Sequence, residues 1–138
     1  EIGPIANGQI DLNDNVAITG NLTCTGTGTF DGDLIAFSSS DRNLKENITI
    51  IPNALDKVLA ISGNTFNWKS GSNATTPEFY IGITEDTGVI AQEVEALGLP
   101  GITTTRDDGT KAVRYERLVP LLIEAIKELE ARVKTLEG

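Results

Sequence analysis

Ser40 and Lys45 lie five residues apart in the stretch Ser38-Ser39-Ser40-Asp41-Arg42-Asn43-Leu44-Lys45-Glu46-Asn47-Ile48. A serine hydroxyl becomes a nucleophile only when a base takes its proton. The chain contains no histidine, so a lysine is the nitrogen base within short reach of these serines. A serine paired with a lysine offers acyl transfer at a peptide bond. Its place, where a Gly/Thr-rich segment gives way to a helix-containing one, points to self-cleavage at that junction. A plainer reading competes, because Ser-Ser-Ser-Asp ahead of an apolar-polar run also makes a turn or a helix N-cap. The amine sets a further condition. A lysine at the ordinary pKa of about 10.4 is neutral in about one molecule in 2,500 at pH 7. Burial that lowers the pKa by about three units brings that to roughly a quarter.

The elements that would position such a pair fall into two regions, residues 1–39 and 40–138. In the first, Asn15 to Ile35 alternates small or apolar residues with Thr and Asn and is broken by Gly every few positions. Alternation predicts strands and the Gly/Asn/Asp clusters predict turns. Strands so short and Thr-rich bury too little alone, so the segment calls for partners, the alternative being a disordered linker. In the second region a short helix is predicted over Asn53–Ala60 after Pro52, and a strand over Asn64–Lys69. A loop follows from Ser70 to Pro77, then a strand over Glu78–Ile83. A second helix spans Val89–Leu97 and stops at Gly98. Ile102–Thr105 and Thr110–Tyr115 flank Asp107-Asp108-Gly109, a hairpin signal. Phe66, Trp68, Phe79 and Tyr80 are the expected large core residues.

A long helix is predicted over about 115–137. Val119, Leu122, Ile126, Leu129, Val133 and Leu136 fall at alternating spacings of three and four. That is a heptad seam with Val119, Ile126 and Val133 at a and Leu122, Leu129 and Leu136 at d. A second apolar line, Leu118, Leu121 and Ala125, predicts cover on two sides. Glu128–Arg132 and Glu130–Lys134 are expected i,i+4 pairs. β-branched residues at a with Leu at d favour a dimer in an isolated coil.

Composition narrows the function classes. A net charge of −9 argues against nucleic-acid binding, which needs a clustered basic face. Zinc is not expected with zero histidines and the single Cys24, and the scattered aspartates show no EF-hand spacing. No metal or cofactor is therefore assigned. No apolar run reaches the roughly 20 residues needed to span a membrane. The chain opens on Glu1, which reads as a fragment or processed piece with upstream targeting out of view.

Ser40 to Ile48 resembles the start of the intramolecular chaperone domain of phage endosialidases, tail fibres and tailspikes, the peptidase S74 family. Thr87-Gly88-Val89-Ile90-Ala91-Gln92-Glu93-Val94 resembles that family's second signature. Val113-Arg114-Tyr115-Glu116-Arg117-Leu118-Val119-Pro120-Leu121-Leu122, leading into a helix, resembles its close. Together they span residues 40–138. One departure is Asn43, where many members carry arginine.

The resemblance implies an α+β protein: a short β-rich N-terminal end of a fibre shaft intertwined as a trimer, a mixed α/β body, and a long C-terminal helix in a trimeric bundle or coiled coil. It implies a homotrimer that templates folding of the upstream fibre segment and then cuts itself off, a single-turnover serine peptidase. Ser40 would be the nucleophile, Lys45 its base, and the Ser39–Ser40 bond the one cut. Asp41, Arg42, Asn43, Gln92 and Glu93 would support the site. The fibre would stay on the virion tail, the chaperone part being made in the host cytoplasm and released. An uncleaved trimerisation cap or receptor-binding tip is the competing reading. A membrane-bound transcription factor of the myelin-regulatory type carries a similar domain, but the Thr/Gly-rich upstream segment and missing basic region point away from it.

Overall fold

Helices form in the C-terminal region where apolar residues recur every three or four positions, and short antiparallel strands join them. The computed structural model describes residues 10, 12–30, 32–69 and 85–138. The chain divides into two units, one ending at Leu34 and the other beginning at Ile35.

In the first unit no described residue belongs to a strand, and every one is exposed, including Leu22 and Phe30. The alternating pattern is present in sequence without pairing in the single chain. Ladder hydrogen bonds need a neighbouring backbone, and a Thr-rich strand of this length has too little apolar surface to recruit one from its own chain.

The second unit is mixed α/β. A 3₁₀ turn at Arg42–Leu44 precedes helix α1 (Ala54–Leu59), strand β1 (Gly63–Asn67), strand β2 (Glu85–Val89) and helix α2 (Ala91–Ala96). Strands β3 (Thr103–Thr105) and β4 (Lys111–Val113) follow, then a 3₁₀ turn at Tyr115–Arg117 and helix α3 (Leu118–Glu137). β1 and β2 pair antiparallel, with Gly63 opposite Val89 and Asn67 opposite Glu85. β3 and β4 pair antiparallel around the predicted turn. There Arg106 N donates to Thr110 O at 2.8 Å and the Asp108 carboxylate accepts from the Thr110 N–H and hydroxyl at 2.8 and 2.6 Å. Gly109 takes a left-handed φ of 85°, which a side chain would resist.

The sequence-predicted elements need several adjustments. The strand over 64–69 is shorter at its end, and α2 begins two residues later than Val89 because Val89 closes β2. Strand β2 is a strand the sequence does not predict: Glu85-Asp86-Thr87-Gly88 has none of the β-branched alternation that marks strands, and its pairing with β1 holds it. The long helix starts at Leu118 rather than 115. The strand over 78–83, the loop over 70–77, and Phe79 and Tyr80 lie outside the described residues.

Among the described residues the core is aliphatic. Ala54 and Leu55 of α1, Val94 of α2, Ile102, and Leu118, Leu121 and Ala125 of α3 are buried together. Phe66 and Trp68, expected at its centre, are half-buried and pack edge-on to each other with centroids 5.0 Å apart at 86°. The indole N–H of Trp68 donates to Asp86 at 3.1 Å, which holds the ring near the sheet surface.

Helix α3 presents two apolar faces with different fates. Leu118, Leu121 and Ala125 pack inward. Glu128 continues that face, and its carboxylate accepts from the Ala54 and Leu55 N–H groups at 2.9 and 2.7 Å. These are first-turn donors of α1, which have no partner within their own helix. The expected Glu128–Arg132 pair is thus replaced: Glu128 caps α1 and Arg132 reaches Asp56 at 3.7 Å. The Glu130–Lys134 pair forms at 3.1 Å. The other stripe, Val119, Leu122, Ile126, Leu129, Val133 and Leu136, is between 43% and 87% exposed.

Candidate functional site

Five residues of extended chain would span about 17 Å, so Ser40 and Lys45 can meet only if the backbone reverses between them. It does. Asp41 is the N-cap of the Arg42–Leu44 turn, and its Oδ1 accepts from Asn43 N at 2.8 Å. Leu44 N donates to Asp41 O and Lys45 N to Arg42 O, each at 3.1 Å. Lys45 then leaves the turn in extended conformation. Its Nζ donates to Ser40 Oγ at 2.7 Å. This is hydrogen-bond reach for a base and its nucleophile. The same separation serves a proton passing from Ser40 Oγ to the Lys45 nitrogen.

The surroundings are open. Every residue from Ser38 to Ile50 is exposed. A wide depression of ≈ 520 Å³ beside the turn is lined by Arg42, Asn43, Lys45, Glu46, Asn47 and Ile48. Apolar side chains stand uncovered on either side: Phe37 is 98% exposed and Leu44 73%. The Ser39–Ser40 peptide bond is therefore reachable by water.

The two later motifs have structural partners. Glu93 Oε2 accepts from the Ser62 N–H and hydroxyl at 2.8 and 2.9 Å, tying α2 to the entry of β1. Gln92 is exposed on α2. The Tyr115 hydroxyl accepts from Val89 N at 3.2 Å. A methyl group on Gly88 would overlap that hydroxyl and touch Phe66. The second and third motifs thus meet each other, at a place where only a hydrogen fits. Arg42 and Asn43 sit on the turn itself.

Residues 40–103 match the model of the peptidase S74 family, the chaperone of endosialidase. Residues 40–103 belong to the endosialidase-chaperone family. The first two motifs, 40–48 and 87–94, lie inside this endosialidase-chaperone region, and the third, 113–122, lies beyond it. The long tail fibre protein Gp37 of Salmonella phage S16 is 35% identical over 109 residues, covering 72% of this chain and 14% of that protein. The Gp37 proteins of Enterobacteria phages K3 and T2 are each 35% identical over 105 residues, covering 72% of this chain and 8% and 7% of theirs. The chain therefore spans 14% or less of the length of these relatives.

Sequence reasoning missed one contact of the second unit, that of Glu128 with α1. Glu128 reads as a helix-surface acid until its place on the 118/121/125 face is noted, where a carboxylate needs donors. The turn or N-cap expected of Ser-Ser-Ser-Asp is realised by Asp41, whose Oδ1 accepts from Asn43 N. Among the described residues no group of three His, Cys, Asp or Glu side chains could hold a metal ion, and no helix is long and apolar enough to cross a membrane.

Proposed function

We propose that this chain is the C-terminal intramolecular chaperone of a phage tail fibre or tailspike, which assembles as a trimer, assists folding of the upstream fibre, and releases itself by cutting between Ser39 and Ser40. The observation that carries the reading is the 2.7 Å contact between Lys45 Nζ and Ser40 Oγ, within residues that match the chaperone of endosialidase. The relatives named as long tail fibre proteins support a place on the virion tail for the fibre, with residues 1–39 as the end of its shaft and 40–138 as the chaperone.

The chemistry is an acyl transfer within one chain. Lys45, as neutral amine, takes the Ser40 hydroxyl proton while Oγ attacks the Ser39 carbonyl carbon through a five-membered ring. The Ser39 C–N bond then breaks, the proton passes to the departing Ser40 nitrogen, and the Ser39 acyl group is left as an ester on Oγ. Water hydrolyses that ester, giving a Ser39 carboxylate and restoring the Ser40 hydroxyl. Ser–Lys pairs of this kind are known variants of the triad logic.

The self-association rests on α3. Val119, Leu122, Ile126, Leu129, Val133 and Leu136 form a stripe that its own body leaves open, and covering it with two further copies removes apolar surface from water. Burial is what removes a lysine's proton at neutral pH, so assembly that covers the exposed Lys45 amine would switch on the base. The exposure of Lys45 in the single chain favours, as second reading, an uncleaved trimerisation cap or receptor-binding tip.

Intact mass after expression decides between them. The dyad reading predicts fragments 1–39 and 40–138, with Ser40→Ala and Lys45→Ala each leaving the chain whole. Wild type that stays whole at native pH for days leaves the cap reading. Sedimentation tests the trimer separately.

A further inference from the structure

We propose that Asp41 is a positioning residue for self-cleavage: by capping the Arg42–Leu44 turn it keeps the Lys45 amine on the Ser40 hydroxyl. The inference rests on the dyad reading above and deepens it. Among the described residues no buried packing holds this turn. It contains no buried residue, and its neighbours from Ser38 to Ile50 are all exposed, so packing does not fix its shape. Three hydrogen bonds close it: Leu44 N to Asp41 O, Lys45 N to Arg42 O, and Asn43 N to Asp41 Oδ1. The first two are backbone bonds open to any sequence. The third depends on the side chain at position 41.

Short 3₁₀ turns are marginal by themselves, since fixing several dihedrals yields few bonds. A cap that accepts from an otherwise orphaned N–H biases such a turn toward its closed form. The Asp41 carboxylate bonds to Asn43 N, and the Lys45 amine to Ser40 Oγ. Its effect on the reaction therefore passes through the turn, which converts a five-residue offset into a 2.7 Å contact. Because the cut is a single turnover within one molecule, loss of turn occupancy lowers the rate in proportion.

The full chain diluted from denaturant and sampled by intact mass gives the rate of appearance of residues 40–138. Asp41→Ala should cut about fivefold more slowly, the usual worth of a cap side chain. Asp41→Asn and Asp41→Ser fill the same cap and should stay within about threefold of wild type, with the midpoint of the pH–rate profile of Asp41→Asn unchanged. Far-UV circular dichroism should be the same for all, since the turn contributes no core residue.

Three results overturn the inference. Asp41→Ala cutting at the wild-type rate would remove any role. Asp41→Asn as slow as Asp41→Ala would mean that the charge matters and the cap does not. Asp41→Asn faster than wild type, with its midpoint moved to lower pH, would make Asp41 a counter-charge that retains the lysine proton. The dyad reading fails on different grounds: wild type staying whole sinks both. Wild type cut, with Ser40→Ala and Lys45→Ala whole, leaves the dyad standing whatever the Asp41 variants do.

Discussion

Replacing Gly88 by alanine tests whether the second and third motifs are locked together through Tyr115. Gly88 sits on β2, where alanine is ordinarily the better residue; removing a glycine's unfolded-state freedom stabilises by about 0.4–1 kcal/mol when the site has room. Here it has none, because the added methyl overlaps the Tyr115 hydroxyl and meets Phe66. Overpacking of this kind costs about 1–3 kcal/mol. Pushing the ring away also breaks the Val89 N–H bond to the Tyr115 hydroxyl, worth about 0.5–1.5 kcal/mol. The net expectation for Gly88→Ala is a loss of roughly 1–3 kcal/mol, opposite in sign to the intrinsic preference. Tyr115→Phe alone should cost about 1 kcal/mol for the lost bond. In the double variant the overlapping oxygen is gone, so Gly88→Ala should cost at least about 1 kcal/mol less than it does beside Tyr115. Urea denaturation at one fixed protein concentration, in a Ser40→Ala background that keeps the chain whole, measures all four corners. Additive effects, or a stabilising Gly88→Ala in the presence of Tyr115, would refute the close approach.

Other expectations concern α3. Leu121 is fully buried and Leu122 is 45% exposed, so Leu121→Ala should cost about 2–5 kcal/mol, while Leu122→Ala should act mainly on self-association, seen as a concentration-dependent midpoint. Ile126→Glu, on the open stripe, should shift sedimentation toward smaller species and slow the appearance of residues 40–138; unchanged sedimentation would remove the stripe from assembly. The Glu128 carboxyl is held below the ordinary carboxylate range by the Leu55 N–H, with the Ala54 N–H adding to it. A lowered folded value means its contribution is complete above the unfolded pKa near 4.5 and is lost as pH falls through the folded one. Glu128→Gln should therefore flatten the acid limb of the stability–pH curve, read by thermal melts from neutral pH downward; an unchanged limb would show that the bond to α1 is not made in solution.

Much of the second unit is legible in sequence because local signals and packing agree there. Pro52 with the apolar spacing after it marks α1, Asp107-Asp108-Gly109 marks the β3–β4 turn, and the double apolar line of 118–137 marks α3 and its two faces. β2 is not legible, since its residues are polar and its strand character comes from β1 across a long connection. The core is misjudged for a related reason: aromatic size predicts burial, but Trp68 has an N–H to satisfy and finds Asp86, leaving small aliphatics to fill the centre. At the candidate site the residue types and spacing are visible in the sequence, whereas the reversal that joins them is not. That depends on which acceptor takes the Asn43 N–H, and Ser38, Ser39, Ser40 and Asp41 all offer one.

The two bonds from Glu128 to the start of α1 have a consequence for how copies could meet. A 20-residue helix held by apolar contacts alone can roll about its long axis, and each roll would turn the outer stripe toward a different bearing. A carboxylate gripping two adjacent backbone donors at 2.9 and 2.7 Å permits one bearing. The stripe thus faces outward at a fixed azimuth before any encounter. A neighbour that lands on it finds a pre-aimed surface about 26 Å long, with the ordering cost already met inside each copy.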